Sequence, residues 1–198
     1  QLKRPVLVWI HGGAYRTGQG AIPWYNGSSF AANGNIVVVS INYRLGALGF
    51  TDLSEFGEDF ATSGINGTLD QITALEWVRD NIENFGGDPD QVTIAGESAG
   101  GFSVTTLLGS DRAQGLFHRA IPQSGAAHHT LTKTTGQQVT RLFMEELNAY
   151  DLQHIQAASV LDILEAQQRT SAAFEKTGLG NGVQAFYPVE GNEVIPKS

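Results

Sequence analysis

Four short apolar segments lie in the first two thirds of the chain, and each has the length of a buried strand. They are Val6–Ile10, Ile36–Ile41, Gln91–Ala95 and Arg119–Gln123, of which the last is the weakest. Continuous apolar runs rich in β-branched residues are typical of strands that are covered on both faces. The pattern therefore predicts a mostly parallel sheet with helices on both of its faces.

The segments between these runs have helical periodicity instead. From Thr68 to Phe85, apolar residues recur at steps of three and four, which places them on one face of a helix. The residues of this face are Leu69, Ile72, Leu75, Val78, Ile82 and Phe85. Residues Ala99–Leu108 predict a second helix. Strands that alternate with helices in this way indicate a doubly wound α/β domain.

The pattern changes after Gly125. Residues Thr134–Asn148 and Asp151–Arg169 predict two amphipathic helices rich in Gln and Glu, and residues 178–198 resemble a loop. We therefore divide the chain into an α/β core at residues 1–130 and a helical insertion or cap at residues 131–198 that lies over the same core.

Composition narrows the classes of function. The chain has 198 residues, a net charge of −8, no Cys and no cluster of Lys and Arg. Phosphate backbones and anionic membranes attract clustered positive charge, so we expect neither nucleic acid nor a membrane as partner. The lack of Cys excludes disulfides, zinc–thiolate sites and thiol catalysis, and it leaves secreted and cytoplasmic locations equally open.

A serine motif follows the third apolar run. Gly96-Glu97-Ser98-Ala99-Gly100 is a G-x-S-x-G sequence that stands directly between a predicted strand and a predicted helix. A turn this sharp holds its serine in a strained conformation, with the hydroxyl at the positive end of the helix. Glycines at 96 and 100 would avoid clashes. Ser98 is therefore the candidate nucleophile, the alternative being a serine that only caps a helix.

A second glycine motif, His11-Gly12-Gly13-Ala14, follows the first apolar run. Consecutive glycines allow backbone N–H groups to turn toward one point. Together with the N–H of Ala99, the groups of Gly12 and Gly13 can form an oxyanion hole. An ordinary turn at the end of a strand is the alternative.

These motifs and several others resemble the type-B carboxylesterase/lipase family of α/β-hydrolases, which includes para-nitrobenzyl-esterase-like and cholinesterase-like proteins. The further blocks are Asn42-Tyr43-Arg44-Leu45-Gly46, Asp70-Gln71, Phe85-Gly86-Gly87-Asp88-Pro89 and Gln123-Ser124-Gly125. The resemblance implies a serine hydrolase that cleaves small carboxylic esters through an acyl-enzyme, without cofactor or metal. One departure is Tyr15, where the family often has Gly or Phe.

The rest of the catalytic triad is not evident. In the family, the acid and the histidine follow the serine at positions that would lie beyond Ser198, so the chain resembles an internal fragment that we expect to be inactive or very weak when isolated. Within the chain, His128 and His129 are the best substitutes for the base, although ordinary loop residues are the simpler interpretation. Ser124 is either a supporting hydrogen-bond partner or a turn serine.

Three other interpretations stay open, and one is an amidase or lactonase that uses the same machinery. Some proteins of this family are non-catalytic binding or adhesion modules, and those typically lack the serine. The chain could also be an inert part of an esterase. The intact Ser98 favours the enzyme.

Overall fold

The computed structural model describes residues 3–126 and 129–196, and within them four strands form one parallel sheet. The strands are β1 (Arg4–Ile10), β2 (Val37–Ile41), β3 (Gly87–Glu97) and β4 (Arg119–Gln123), in the order β2-β1-β3-β4. Each predicted strand is present, and the parallel arrangement is confirmed. Strand β3 extends beyond its apolar run at both ends, and its amino-terminal extension includes Asp88-Pro89.

The helices alternate with the strands as predicted. They are α1 (Ser28–Gly34), α2 (Gly46–Phe50), α3 (Asn66–Asn81), α4 (Ala99–Leu108), α5 (Lys133–Leu147), α6 (Leu152–Ala157) and α7 (Val160–Thr177). Short 3-10 helices lie at Pro23–Tyr25, Ser54–Phe56, Glu58–Phe60, Ser63–Ile65, Ile82–Phe85 and Asp111–Ala113.

The chain leaves the two central strands in opposite directions. In the sheet, Val6 of β1 pairs with Val37 on one side and with Val92 of β3 on the other. From β1 the chain continues to β2, whereas from β3 it continues to β4 at the opposite edge. Such a divergence opens a crevice at the carboxyl ends of the two strands, where α/β proteins bind their ligands. Both glycine motifs begin at these strand ends.

One face of the sheet is buried far more completely than the other. Val6, Val8 and Ile10 of β1 are at most 1% exposed, whereas the alternate residues Leu7 and Trp9 are only half-buried. Helix α4 packs against β3 and β4 on the buried face. Helix α3 lies beside α4, since the Gln71 side chain donates a hydrogen bond to Ser103 of α4.

Two details differ from the sequence-based expectation. Phe85 is 60% exposed and packs on Trp77, because α3 tightens into a 3-10 turn at Ile82 that rotates the following side chains off the buried face. The helix expected over Asp151–Arg169 is interrupted after Ala157. There Ser159 caps the start of α7, with its hydroxyl accepting from the amide of Asp162.

The chain divides into two compact units. The first comprises Gln1–Tyr43 and Thr68–His128, and the second comprises Arg44–Gly67 and His129–Ser198. Within the second unit α5 packs against α7, and Phe143 meets Phe186 with ring centroids 5.7 Å apart. The division at residue 130, with residues 131–198 as a cap, stays a prediction.

Candidate active site

Ser98 stands at the turn between β3 and α4. Its backbone has φ 57° and ψ −121°, a combination that residues with a side chain rarely adopt. Strand β3 ends at Glu97 and helix α4 begins at Ala99, so the turn consists of this one residue. The prediction that Ser98 has a strained backbone conformation between a strand and a helix is confirmed.

The turn is tight because backbone meets backbone there. A Cβ atom at Gly100 would lie 2.0 Å from the carbonyl oxygen of Ile10, and one at Gly96 would lie 2.5 Å from the carbonyl oxygen of Gly100. No real side chain tolerates such distances. The requirement for glycine at both positions is therefore confirmed. In addition, the amide of Ser98 donates to the carbonyl of Gln123 over 2.9 Å, which ties the turn to β4.

The loop that follows β1 reaches the serine from the neighbouring strand. A Cβ atom at Gly12 would lie 3.3 Å from the Cβ of Ser98 and 2.5 Å from the carbonyl oxygen of Glu97. The two glycine motifs therefore share one edge of the sheet, as expected. Among the residues that the structure describes, the N–H groups of Gly12, Gly13 and Ala99 donate no hydrogen bond. Their convergence on one point stays a prediction.

Two residues after β2 anchor this loop at both of its ends. The Tyr43 hydroxyl donates to the carbonyl of His11 over 2.7 Å, and the amide of Gly20 donates to Asn42 Oδ1 over 3.0 Å. The Tyr43 ring also stacks on His11, with centroids 4.5 Å apart. We call residues His11–Gly20 the glycine loop. The sequence pattern does not reveal these anchors, although Asn42-Tyr43 belongs to one of the blocks that carry the family resemblance.

His11 is a buried residue that supports the loop. Its side chain is almost fully buried, and Nδ1 lies 2.8 Å from the carbonyl oxygen of Gly12, so Nδ1 carries a proton and donates it. Burial lowers the pKa of His11, and the bond to Gly12 opposes that effect only in part. Burial likewise raises the pKa of the Tyr43 hydroxyl well above its ordinary value, which keeps it a donor.

The other sequence candidates are less clearly placed. Ser124 follows β4 with φ 50° and is exposed, so its supporting role stays a prediction. His118 is at the opposite end of β4, where its Nδ1 accepts from the amide of Val92 at the far edge of the sheet from Ser98. His129 belongs to the second unit, and His128 lies outside the described residues.

The described part of the chain has neither a metal-binding cluster nor a membrane-spanning helix. Residues 3–126 and 129–196 contain no group of three or more His, Asp or Glu side chains that could hold a metal ion. None of the helices in these ranges is both long enough and apolar enough to cross a bilayer.

Comparison with known proteins gives consistent results. A family model described as the carboxylesterase family matches residues 1–198. The chain is 47% identical over 171 residues to the para-nitrobenzyl esterase of Bacillus subtilis, covering 85% of this chain and 34% of that protein. It is 39% identical over 197 residues to the phenmedipham hydrolase of Pseudarthrobacter oxydans, covering 98% and 38%.

Solved structures agree with the sequence comparison. A carboxylesterase of Geobacillus stearothermophilus superposes with a TM-score of 0.85 at 43% identity, covering 95% of this chain and 38% of the other. A thermophilic PNB esterase gives a TM-score of 0.86 at 44% identity, with the same two coverages of 95% and 38%. The chain thus spans between 34% and 38% of the length of these four relatives.

Proposed function

The chain belongs to the carboxylesterase family and has the α/β-hydrolase fold of its solved relatives; from that premise we propose that the protein containing it hydrolyses carboxylic esters through an acyl-enzyme on Ser98. The observation that carries the proposal is the backbone of Ser98, with φ 57° in a one-residue turn at the crevice of the sheet. Strain of this kind persists only where the surrounding structure enforces it, and it clusters at functional sites.

The proposed reaction proceeds in two halves. The Ser98 oxygen bonds to the ester carbonyl carbon while a histidine removes the hydroxyl proton. The tetrahedral intermediate then collapses, the bond to the alkoxy group breaks, and the histidine returns the proton to the departing alcohol. Water next attacks the acyl-serine with help from the same base, which releases the carboxylic acid and restores the Ser98 hydroxyl.

The negative oxygen of the intermediate requires hydrogen-bond donors. We assign this role to the N–H groups of Gly12, Gly13 and Ala99. Ala99 is the first residue of α4, where an amide has no acceptor within the helix. Gly12 lies so near Ser98 that an added Cβ would be 3.3 Å from the Ser98 Cβ, and this proximity supports a role for the glycine loop at the same oxygen. Donors that are preorganised in this way contribute roughly 10²–10³ in kcat for each donor.

We propose that the acid and the histidine lie outside residues 1–198. In α/β-hydrolases the chain order is serine, then acid, then histidine. His118 is at the wrong edge of the sheet to serve as the base, and His154 is engaged with the exposed carboxylate of Asp151. On this proposal the isolated chain retains only weak activity, because enzymes that lack triad members keep a residual acceleration of roughly 10³–10⁴ over water.

Small esters with a good leaving group are the proposed substrates. The names of two relatives specify a para-nitrobenzyl ester and phenmedipham. We therefore choose p-nitrophenyl acetate and butyrate as test substrates. Comparison with the matching p-nitroanilides separates an esterase from an amidase that uses the same serine.

The decisive experiment is active-site labelling of the full-length protein with a fluorophosphonate, followed by peptide mapping. We expect one modified residue, Ser98, and loss of both labelling and ester hydrolysis in Ser98→Ala. The matched control is Ser29→Ala, which removes the hydroxyl of an exposed serine in α1 and is expected to behave as wild type. A protein that resists labelling would instead indicate the binding or adhesion alternative. Hydrolysis that survives in Ser98→Ala would place the nucleophile elsewhere.

A further inference from the structure

Tyr15 is a buried residue of the glycine loop. Its side chain is 1% exposed, although its backbone adopts the unusual φ of 54°. The hydroxyl lies 3.2 Å from the Oγ of Ser103, which is itself 2% exposed and belongs to the second turn of α4. A buried polar contact therefore joins the glycine loop to the helix that begins at Ala99.

The hydrogen-bond capacity of Ser103 shows how this contact works. Its Oγ lies 3.0 Å from the carbonyl oxygen of Ala99 and accepts from Gln71 Nε2 over 2.9 Å. A serine hydroxyl has one proton and two acceptor positions. The carbonyl of Ala99 can only accept, so the proton of Ser103 serves it. The remaining acceptor position of Ser103 then suits the O–H of Tyr15.

We propose that Tyr15 is a positioning residue that fixes the glycine loop to α4 through Ser103, and so sets the distance between the Gly12–Gly13 amides and the Ala99 amide. This inference rests on the proposed function. The two sets of donors come from separate segments of the chain, and an oxyanion hole tolerates errors of only about 0.5 Å. Ser103 contacts both segments, since it bonds to Ala99 itself and lies against Tyr15.

The proposed positioning role depends on the hydroxyl of Tyr15, because this group contacts Ser103. Phe at this position would fill the same space as the Tyr15 ring and lose the contact with Ser103. Because the contact is fully buried, no water competes for it, and the surrounding low dielectric strengthens it. The effect of Tyr15→Phe should therefore be specific to the alignment of the donors, with little change in packing.

The test uses three variants of the full-length protein: Tyr15→Phe, Ser103→Ala and the double variant. We expect Tyr15→Phe to lower kcat for p-nitrophenyl butyrate by about 3- to 10-fold while KM stays within about twofold, since the oxyanion exists in the transition state and not in the bound ester. The rate of fluorophosphonate labelling should fall by a similar factor. The double variant should be no slower than the slower single variant, because both changes break one linkage.

The control is Tyr25→Phe, which removes the hydroxyl of a half-buried tyrosine that packs on Trp9. It should leave kcat and the labelling rate unchanged. A purely structural role for Tyr15 would lower the melting temperature and leave kcat of the folded enzyme intact, and that result would overturn the inference. The inference would also be overturned if the reductions in kcat caused by Tyr15→Phe and Ser103→Ala multiply in the double variant.

Failure of this inference is distinct from failure of the proposed function. If wild-type protein is labelled at Ser98 and Tyr15→Phe is labelled equally fast, only the positioning role of Tyr15 is wrong. If wild-type protein is not labelled at all, the proposed function and the inference that rests on it are both wrong.

Discussion

The two segments that meet at the site, the turn at Ser98 and the glycine loop, are held in different ways. The turn is held by backbone atoms alone: Gly100 lies against the carbonyl of Ile10, and the amide of Ser98 donates to Gln123. The glycine loop is held by side chains from elsewhere in the chain, namely Tyr43 and Asn42. The turn should therefore respond to added volume, and the loop to lost hydrogen bonds.

The largest effect should come from added volume at the turn. Gly100→Ala would place a Cβ atom 2.0 Å from the Ile10 carbonyl oxygen, so helix α4 and strand β1 must move apart. We expect a loss of about 3 kcal/mol or more in the free energy of unfolding, at the upper end of overpacking effects. Urea unfolding followed by circular dichroism measures it.

The matched control for that change is Gly109→Ala, at the other end of α4. Its φ is −91°, and an added Cβ would be 3.7 Å from the nearest atom outside its neighbours, an ordinary contact distance. The control should change stability by no more than about 0.5 kcal/mol. Equal urea midpoints for the two variants would show that close backbone approach does not hold the turn.

A smaller effect should follow from Tyr43→Phe. This change keeps the ring that stacks on His11 and removes the donor to the His11 carbonyl, which is left buried and unsatisfied. The expected loss is about 1–3 kcal/mol. The control Tyr25→Phe should show no such loss in the same unfolding experiment. If both variants unfold alike, the hydroxyl of Tyr43 does not anchor the loop.

Asn42→Ala should have a weaker effect. Asn42 is an exposed side chain, so water can partly replace it as the acceptor for Gly20 N–H. We expect a loss of about 0.5–1.5 kcal/mol and faster hydrogen exchange at Gly20. Asn42→Asp retains an acceptor oxygen in the same position and should keep the slow exchange. Faster exchange in both variants would contradict the assigned acceptor role.

The smallest effect concerns pH. Because burial lowers the pKa of folded His11 below its ordinary value of 6.5, the unfolded chain binds a proton first as the pH falls. The stabilisation is complete above about pH 6.5 and is lost as the pH falls toward the folded pKa. Between pH 7.5 and pH 5, the free energy of unfolding should therefore fall more for wild type than for His11→Asn, because Asn keeps a donor but does not titrate. Equal decreases in the two proteins would show that His11 is not the source of the pH dependence.

The comparison also separates what the sequence can predict from what it cannot. The turn at Ser98 depends on five consecutive residues and the two elements that flank them, so a motif in its context is sufficient. The strands could also be predicted, because each contains a short apolar run, although one face of the sheet is less covered than those runs suggest and β4 is mostly exposed. A shared role of the two glycine motifs in one site requires β1 and β3 to be neighbours, and the order of the strands shows that they are.

The hydrogen-bond partners that hold the glycine loop could not be predicted from a local motif. Ser103 and Tyr43 are far from the loop in sequence, and nothing in local periodicity shows which side chain meets which carbonyl. Tyr15 was recognised only as a departure from the family, and its partner became visible in the folded chain. Phe85 was misplaced because the change from α-helix to 3-10 helix at Ile82 leaves no signal in the spacing of apolar residues.

The pairing of β1 with β3 has a consequence for how the protein folds. Val6 and Val92 are adjacent in the sheet although more than eighty residues separate them along the chain. Closing so long a loop is entropically expensive and slow compared with the formation of single helices. The crevice, the approach of Gly12 to Ser98 and the contact of Gly100 with Ile10 all require that this pairing already exists. We therefore expect Ser98 to become reactive late in refolding, after most helical signal has returned, and a stopped-flow trace of helicity should run ahead of the recovery of fluorophosphonate labelling.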